Sequence, residues 1–488
     1  MDRTNRIKLP PDLDAAEREL RALTGDPADL NIQRFRVGGT GCMAVSAEGM
    51  AAGSMVSDML FRPLMEYSSR TLTPAEVQRL LLKEGIFTPD RQAVTDMETL
   101  CELVFSGFVV IMTETLTTAA AFGIQGYEKR AVASPESEQT VSAAHDCFIE
   151  AVRTNLSLIR RRLKTPLLRS EMIKVGRLSV CDVCLVYIKG RADEETLRHV
   201  REELKRVRLD TVLTSGCLQP FLDKSYQRSV FSAVMTTERP DMAVTCLNEG
   251  KVVIIIDGTP FVLILPTLFA DNFRTMDDYT EKTFHAALSR AMKYLAFLLA
   301  VGFPGLYVAL VTFHPEVFSL KLLLNLAVSE EATPYPLSVE VFMLMILFEI
   351  MREAGVRLPK AVGGAVSIVG GLIIGDAAVK SGIVSQPLLI VVGVTATASF
   401  VLPDLYPAVS ALRLVFILAG GAAGLFGLAA AAFLLTVNIC AVDEEGIPFT
   451  APAEPFDRQQ FFDSAFRRSF FDYERTRRSI SDLKEERP

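Results

Sequence analysis

Few residues in this chain have the means to do chemistry. His145, His199, His285 and His314 are the only histidines, and none stands at metal-ligand spacing or beside a nucleophile motif. No Walker loop is present, and no G-x-G-x-x-G follows a strand. Cys181-x-x-Cys184 has the spacing of half a zinc knuckle. It sits in the run Val180 to Ile188, which reads as a strand, so the two thiols point to opposite faces and no second pair completes a site. Neither an enzyme nor a cofactor or metal site is expected. The remaining candidates are carboxylates in apolar sequence: Glu340, Glu349 and Asp376. A lone ionised carboxylate at mid-bilayer costs about 2.5–3.5 kcal/mol on insertion scales, so it faces a partner or water and is an ion-path candidate. Glu349 lies three residues before Arg352, and Asp376 four before Lys380, so a local ion pair is the structural alternative for both. Glu340 has no such neighbour and lies deep only if its span begins before Pro336.

The elements that must position these groups are apolar helices. Tyr294–Phe313, Gly363–Val384 and Leu412–Cys440 are long enough to cross a bilayer, since about 20 residues at 1.5 Å each cover a hydrocarbon core of about 30 Å. Pro387–Leu402 is shorter, and Pro336–Met351 carries Glu340 and Glu349. A polytopic block of four to five helices over 271–442 is expected, followed by a charged tail over 443–488. Gly371-x-x-x-Gly375 and Gly420-x-x-x-Gly424 give two helices small faces for close backbone approach, in helix packing or in a homo-oligomer. The most basic short loop holds Arg352, Arg357 and Lys360, and the opposite loop holds Glu316, Glu330 and Glu331, so the first is assigned to the cytosolic side. Four crossings return the C-terminus to that side and five do not; the parity is open.

The first 270 residues read differently. At 488 residues, with 50% hydrophobic content and mean hydropathy +0.29, the chain is greasier than a soluble protein, yet its charge is concentrated before residue 290 and in the tail. A formal net charge of −7 gives no basic footprint for nucleic acid. The polar start, Met1 to Arg6, is followed by no apolar run, so this region is expected to stay in the cytosol, with its seven cysteines reduced. It reads as duplicated. Gly41–Gly49 and Cys184–Gly190 each open a half with a short apolar strand, and Ser106–Met112 and Glu249–Asp257 each close one with Gly and a β-branched run. Two α/β subdomains are expected, over 1–135 and 136–270. Thr73-Pro-Ala-Glu76 is a capping box, and Asp193 can cap a helix whose Leu197, Val200, Leu204 and Val207 share one face. His145–Leu163 reads as a helix ending in Arg160, Arg161 and Arg162. That basic end suits the helix dipole, and anionic headgroups or a partner are the alternative. Val252–Phe269, broken by Asp257, Gly258, Pro260 and Pro266, reads as a last strand, a turn and an extended approach to the membrane.

A resemblance runs through these segments. Arg153-Thr154-Asn155, the Arg160–Arg162 triplet, Thr237-Glu-Arg-Pro-Asp241 and Asp257-Gly-Thr-Pro-Phe261 carry it in the polar half. Tyr307-Val-Ala-Leu310, Phe313-His-Pro-Glu316, Glu349-Ile-Met-Arg-Glu-Ala-Gly355 and Ala365-Val-Ser-Ile-Val-Gly370 carry it in the apolar half. In order and content they resemble the A subunits of bacterial spore germinant receptors, the GerA-type spore germination proteins. The resemblance implies a cytosolic region of two subdomains followed by a membrane domain in the spore inner membrane. It further implies a transporter-like B subunit and a lipoprotein C subunit as partners, and an oligomeric, nutrient-gated ion channel as the function. A solute permease subunit is the alternative, as is a germination-accelerating channel paralogue that senses no nutrient. Two departures favour a paralogue: Ser142-Ala-Ala-His-Asp146 replaces the family's Gly-Pro-Arg-rich turn, and the tail mixes both signs of charge.

Overall fold

Ten strands form two sheets of the same order. The first joins β1 (Leu30–Val37), β2 (Thr40–Ala47), β3 (Arg91–Val94), β4 (Phe108–Thr113) and β5 (Ala119–Gly123) as β1-β2-β4-β5-β3. The second joins β6 (Leu168–Val175), β7 (Cys181–Ile188), β8 (Met235–Thr237), β9 (Val252–Ile256) and β10 (Val262–Leu265) as β6-β7-β9-β10-β8. Every pairing is antiparallel. The computed structural model describes residues 7–67, 69–84, 88, 90–126, 138, 140, 142–358, 377–466 and 480–483. Central strands β4 and β9 are buried along their whole length because helices cover both faces of each sheet. In the first unit α1 (Leu13–Thr24) and α2 (Met97–Val104) cover one face. In the second, α3 (Val152–Arg162) and α5 (Pro240–Asn248) lie opposite α4 (Glu194–Arg206). Asp193 accepts from Thr196 N at 2.8 Å and so starts α4, and its Leu197, Val200 and Leu204 face the sheet. The run after Val252 supplies two strands, β9 and β10, which form a hairpin within the second sheet.

The helix expected from His145 begins only at Val152. Asn155, fully buried, accepts from Ile149 N and donates to Ile149 O, which holds residues 145–151 in a non-helical loop against α3. The basic end of α3 divides: Arg161 is exposed, while Arg160 finds a partner within the chain. Arg160 is fully buried and clamps Asp29 of the first unit with two bonds, 2.8 and 3.0 Å. Its guanidinium lies 4.2 Å from the centroid of the Phe105 ring, and Ser170 Oγ donates to the same carboxylate at 2.7 Å. Arg160 therefore joins the two α/β units.

The apolar half packs as helices. α6 (Thr283–Phe313) starts eleven residues before the expected Tyr294, α7 (Leu320–Glu331) follows, and α8 (Leu337–Arg357) and α9 (Gln386–Phe400) correspond to the two shorter candidates. Most of Gly363–Val384, including Gly371, Gly375 and Asp376, lies outside the described residues. The last helical stretch, α10 (Tyr406–Cys440), is not the single straight span expected from its hydropathy. Ala423 (φ −139°, ψ 17°) and Gly424 (φ 59°, ψ −140°) break it. A Cβ added at Gly427 would collide with the Ala419 carbonyl, and Phe416 and Leu428 both meet Gly305 of α6. A straight helix holds residues 416 and 428 about 18 Å apart, so the chain folds back on itself. α10 is a hairpin of two limbs, 406–422 and 425–440, of about 25 Å each by their rise per residue.

Both limbs pack on α6. Gly424 at the reversal faces Phe313 at the far end of α6. The two feet return to the near end, where Leu405, Ala408, Val442 and Phe449 share one cluster with Phe231 and Phe273. The chain after α10 then folds onto the second α/β unit. Phe269 N donates to Phe449 O at 2.8 Å, Ile480 N donates to Glu249 O at 2.9 Å, and Leu268 packs among Ile447, Ala451, Ile480 and Leu483. The described part of the expected charged tail is thus folded and partly buried, on the same side of the helical block as the strands.

Candidate functional site at the two ends of the helical block

At the near end, buried ion pairs fasten the second unit to α6. Lys251, fully buried, donates to Asp271 at 2.5 Å; Arg274 bridges Asp271 (2.8 Å) and Glu249 (2.5 Å). Burial works to lower the Lys251 ammonium, but Asp271, Cys246 and Glu249 together outweigh it and hold the group above its ordinary value. Arg290 and Lys293 in the first turns of α6 both reach Asp278, at 2.7 and 3.5 Å, and Arg290 also donates to the Asp463 carbonyl. The Tyr294 and Phe273 rings stack with centroids 4.1 Å apart. The segment between β10 and α6 is thus held by ion pairs at both ends, none of which can be parted without exposing a buried charge.

Glu349 also lies at this end. It accepts from Arg352 at 3.2 Å and from Tyr406 OH at 2.5 Å, and the Arg352 guanidinium sits 3.9 Å from the centroid of the Tyr406 ring. Its charge is answered locally.

Glu340 is at the far end, in the first turn of α8, and is fully buried. One carboxylate oxygen accepts from the backbone N–H of Ser385, the N-cap of α9, so Glu340 caps a helix 45 residues along the chain. Its other oxygen makes no hydrogen bond of ordinary geometry among the described residues, and neither do Ser385 Oγ, Tyr307 OH and Glu330 Oε1, although the Ser385 hydroxyl stands beside both the Glu340 carboxylate and Tyr307, and Thr333 beside Glu340. The Glu330 carboxylate is near enough to Glu340 to repel it, and Tyr307 faces both. Glu340 and Ser385 are thus brought together; Glu349 belongs to a separate network, and Asp376 lies outside the described residues.

The glycines divide likewise. At Gly420 an added Cβ would lie 2.5 Å from the Gly305 carbonyl oxygen, so two backbones touch there. Gly424 does not continue that smooth face. Its positive-φ backbone makes the reversal, where a side chain is disfavoured on conformational grounds as well as by Phe313, 3.0 Å away.

Arg413 went unread in the sequence because it is one charge in the run Leu412-Arg-Leu-Val-Phe416. It is 2% exposed and has no carboxylate within ion-pair distance among the described residues. Its Nε donates to Ala300 O at 2.9 Å, and its other nitrogens face Ser399 Oγ and Met345 Sδ. Ala300 precedes Pro304 by four residues, and proline has no N–H to close that helical bond. Arg413 satisfies the carbonyl that Pro304 leaves open. The signal was present in sequence as a proline inside one apolar run and a cation inside another.

This arrangement, two α/β units clamped to a helical block, defines a protein built to join a polar module to apolar helices. A model of the Bacillus/Clostridium GerA spore germination protein family matches residues 18–479, and the chain belongs to that family. It is 34% identical over 481 residues to spore germination protein KA of Bacillus subtilis (strain 168), covering 97% of this chain and 88% of that protein. It is 33% identical to spore germination protein GerLA of Bacillus cereus, over 92% of each chain. The crystal structure of the N-terminal domain of the A subunit of the Bacillus megaterium spore germinant receptor GerK3 aligns with 54% of this chain and 98% of that one, at 25% identity and a TM-score of 0.45.

Proposed function

We propose that this chain is the A-type membrane subunit of a spore germination receptor, coupling germinant sensing to ion release as an oligomeric, gated ion channel. The observation that carries the reading is family membership over both halves of the chain, together with the buried ion pairs that fasten the second α/β unit to α6. Thr283–Phe313 is long and apolar enough to cross a membrane, and Tyr406–Cys440 is as apolar but folded into two limbs. Strands and tail meet at one end of the helical block, and the basic loop after Arg352 assigns that end to the cytosol. The spore inner membrane, a homo-oligomer, and transporter-like and lipoprotein partner subunits belong to the same proposal. In it Glu340, at the far end, serves the ion path, and Glu349, paired with Arg352, does not.

Reconstitution in proteoliposomes tests the reading. Cation flux that changes in Glu340→Gln but not in Glu349→Gln supports it. Transport of a small solute without ion current makes the chain a permease subunit instead. Ion flux that persists without partner subunits and without any nutrient response favours a germination-accelerating paralogue.

A further inference from the structure

We propose that Glu330, Glu340, Tyr307 and Ser385 form a binding site for one alkali-metal cation at the far end of the block. Four buried oxygens from four separate elements converge there with no hydrogen bond of ordinary geometry among the described residues, Ser385 standing beside both Glu340 and Tyr307: Tyr307 OH from α6, Glu330 Oε1 from α7, Glu340 Oε2 from α8 and Ser385 Oγ from the start of α9. Glu340 is fully buried and Ser385 is 3% exposed, so bulk water does not complete them. Buried polar atoms are almost always satisfied, and a concentration of exceptions marks a missing occupant.

The charge decides what that occupant is. Two carboxylates bring two negative charges, and the N-terminus of α9, whose Ser385 N–H already donates to Glu340, offsets about half of one. No cationic side chain forms an ion pair with either carboxylate among the described residues. A single positive charge leaves the pocket near neutrality. All four atoms are oxygens, the donors that hard cations take, and no group of three His, Cys, Asp or Glu residues suited to a transition metal occurs among the described residues. The site is covered by the turn before α9, where a Cβ on Gly382 would lie 3.2 Å from the Ala332 carbonyl at the end of α7. A bound cation would therefore tie α6, α7, α8 and α9 together where no apolar cluster does so alone. The site concerns the same Glu340 as the proposed ion path but does not require conduction, because binding is read without current.

The test uses the full chain in lipid nanodiscs, with unfolding followed by intrinsic tyrosine fluorescence. At fixed pH and ionic strength, N-methylglucamine chloride is replaced stepwise by NaCl or KCl. The expected result is a saturable rise in Tm that is lost in Glu340→Gln, with half-saturation moved to higher concentration in the milder Tyr307→Phe. An unchanged Tm in every salt overturns the site. So does a Tm that follows pH but not the cation, which makes the two carboxylates a proton-sharing pair, or a rise retained in full by Glu340→Gln, which puts the cation elsewhere. If Glu340→Gln does not fold, a Tyr307→Phe titration that superimposes on the parent overturns it too. Cation binding without flux would fail the channel reading and leave the site standing.

Discussion

Two buried arginines, one in each half of the molecule, face the same desolvation problem and solve it with different partners. Arg160 meets Asp29, 131 residues away, in a two-bond clamp closed by Ser170 and Phe105. Arg413 meets a neutral carbonyl that Pro304 has left without a donor. Between the α/β units the partner is a charge, because the interface must be specific between two modules with the same sheet order. Within the helices the partner is the backbone itself, because an unsatisfied carbonyl there has no water to turn to. Charge specifies an interface in one half, and repairs a helix in the other.

The comparison breaks most visibly at Arg160. Arg160→Met leaves Asp29 buried and unpaired, and about 3–5 kcal/mol of stability should be lost at the junction of the two units. Hydrogen exchange should show β6 and the segment before β1 losing protection together. If Asp29→Asn rescues much of that loss, the charge is the cause, and if not, packing against Phe105 is.

A smaller effect is expected in the membrane half. Arg413→Met should destabilise the helical block by about 1–3 kcal/mol, the range for a buried polar group left unmade. Pro304→Ala supplies an N–H to Ala300, so Arg413→Met should cost less in that background. Equal cost in both backgrounds, read as midpoints of unfolding in detergent, would mean that Arg413 acts through Ser399 or Met345.

The reversal in α10 asks whether the block's shape rests on backbone alone. Gly424→Ala forces a side chain into a positive-φ, extended conformation that only glycine adopts freely (φ 59°, ψ −140°), at about 1–3 kcal/mol, and should lower the midpoint without altering any charge. A neutral outcome would show that the turn relaxes. Gly420→Leu should do more, because the Gly305 backbone has no room to yield.

A last effect, read from pH and not from a lost contact, tests a third solution, a carboxyl kept neutral. Glu444 is almost fully buried, just after α10; His199 Nε2 lies 3.6 Å from its Oε1 and His199 Nδ1 3.1 Å from Glu445, and Lys224 is the nearby cation. Burial, and then the Asp223 charge, push Glu444 up to about 8. The folded protein thus holds a proton that the unfolded chain releases near the ordinary value of 4.5. The contribution is full below about 4.5 and is lost as pH rises towards about 8. Docking of the 443–448 hairpin on α4 should weaken over that window, and Glu444→Gln should flatten the dependence. A parent Tm that is level from pH 5 to pH 8 would remove the effect.

What could be read in sequence follows the range of each interaction. The strand patterns around Gly41 and Cys184 are local, and the structure has a sheet at each. The Asp193 cap is likewise a matter of three residues. Arg160 was misread because a cationic triplet at a helix end has a sufficient local explanation, while its real partner lies in another unit. The α10 hairpin was hidden by uniform hydropathy: Gly-Ala-Ala-Gly contains no polar residue to announce a turn, and the only local signal was a glycine whose use as a smooth face was equally consistent. Glu340 could be singled out by lacking a neighbour, but not matched to Ser385, because that pairing exists only after α8 and α9 are packed.

The reversal at Gly424 bears on how the chain is made. In the proposed membrane arrangement a turn of two residues leaves nothing to thread across to the far side, so the limbs 406–422 and 425–440 would enter together as a closed pair. The first limb by itself would present Arg413 to lipid, and its carbonyl partner is on α6, made about a hundred residues earlier. On that arrangement assembly has an order: α6 is in place with an open carbonyl before the last hairpin closes it.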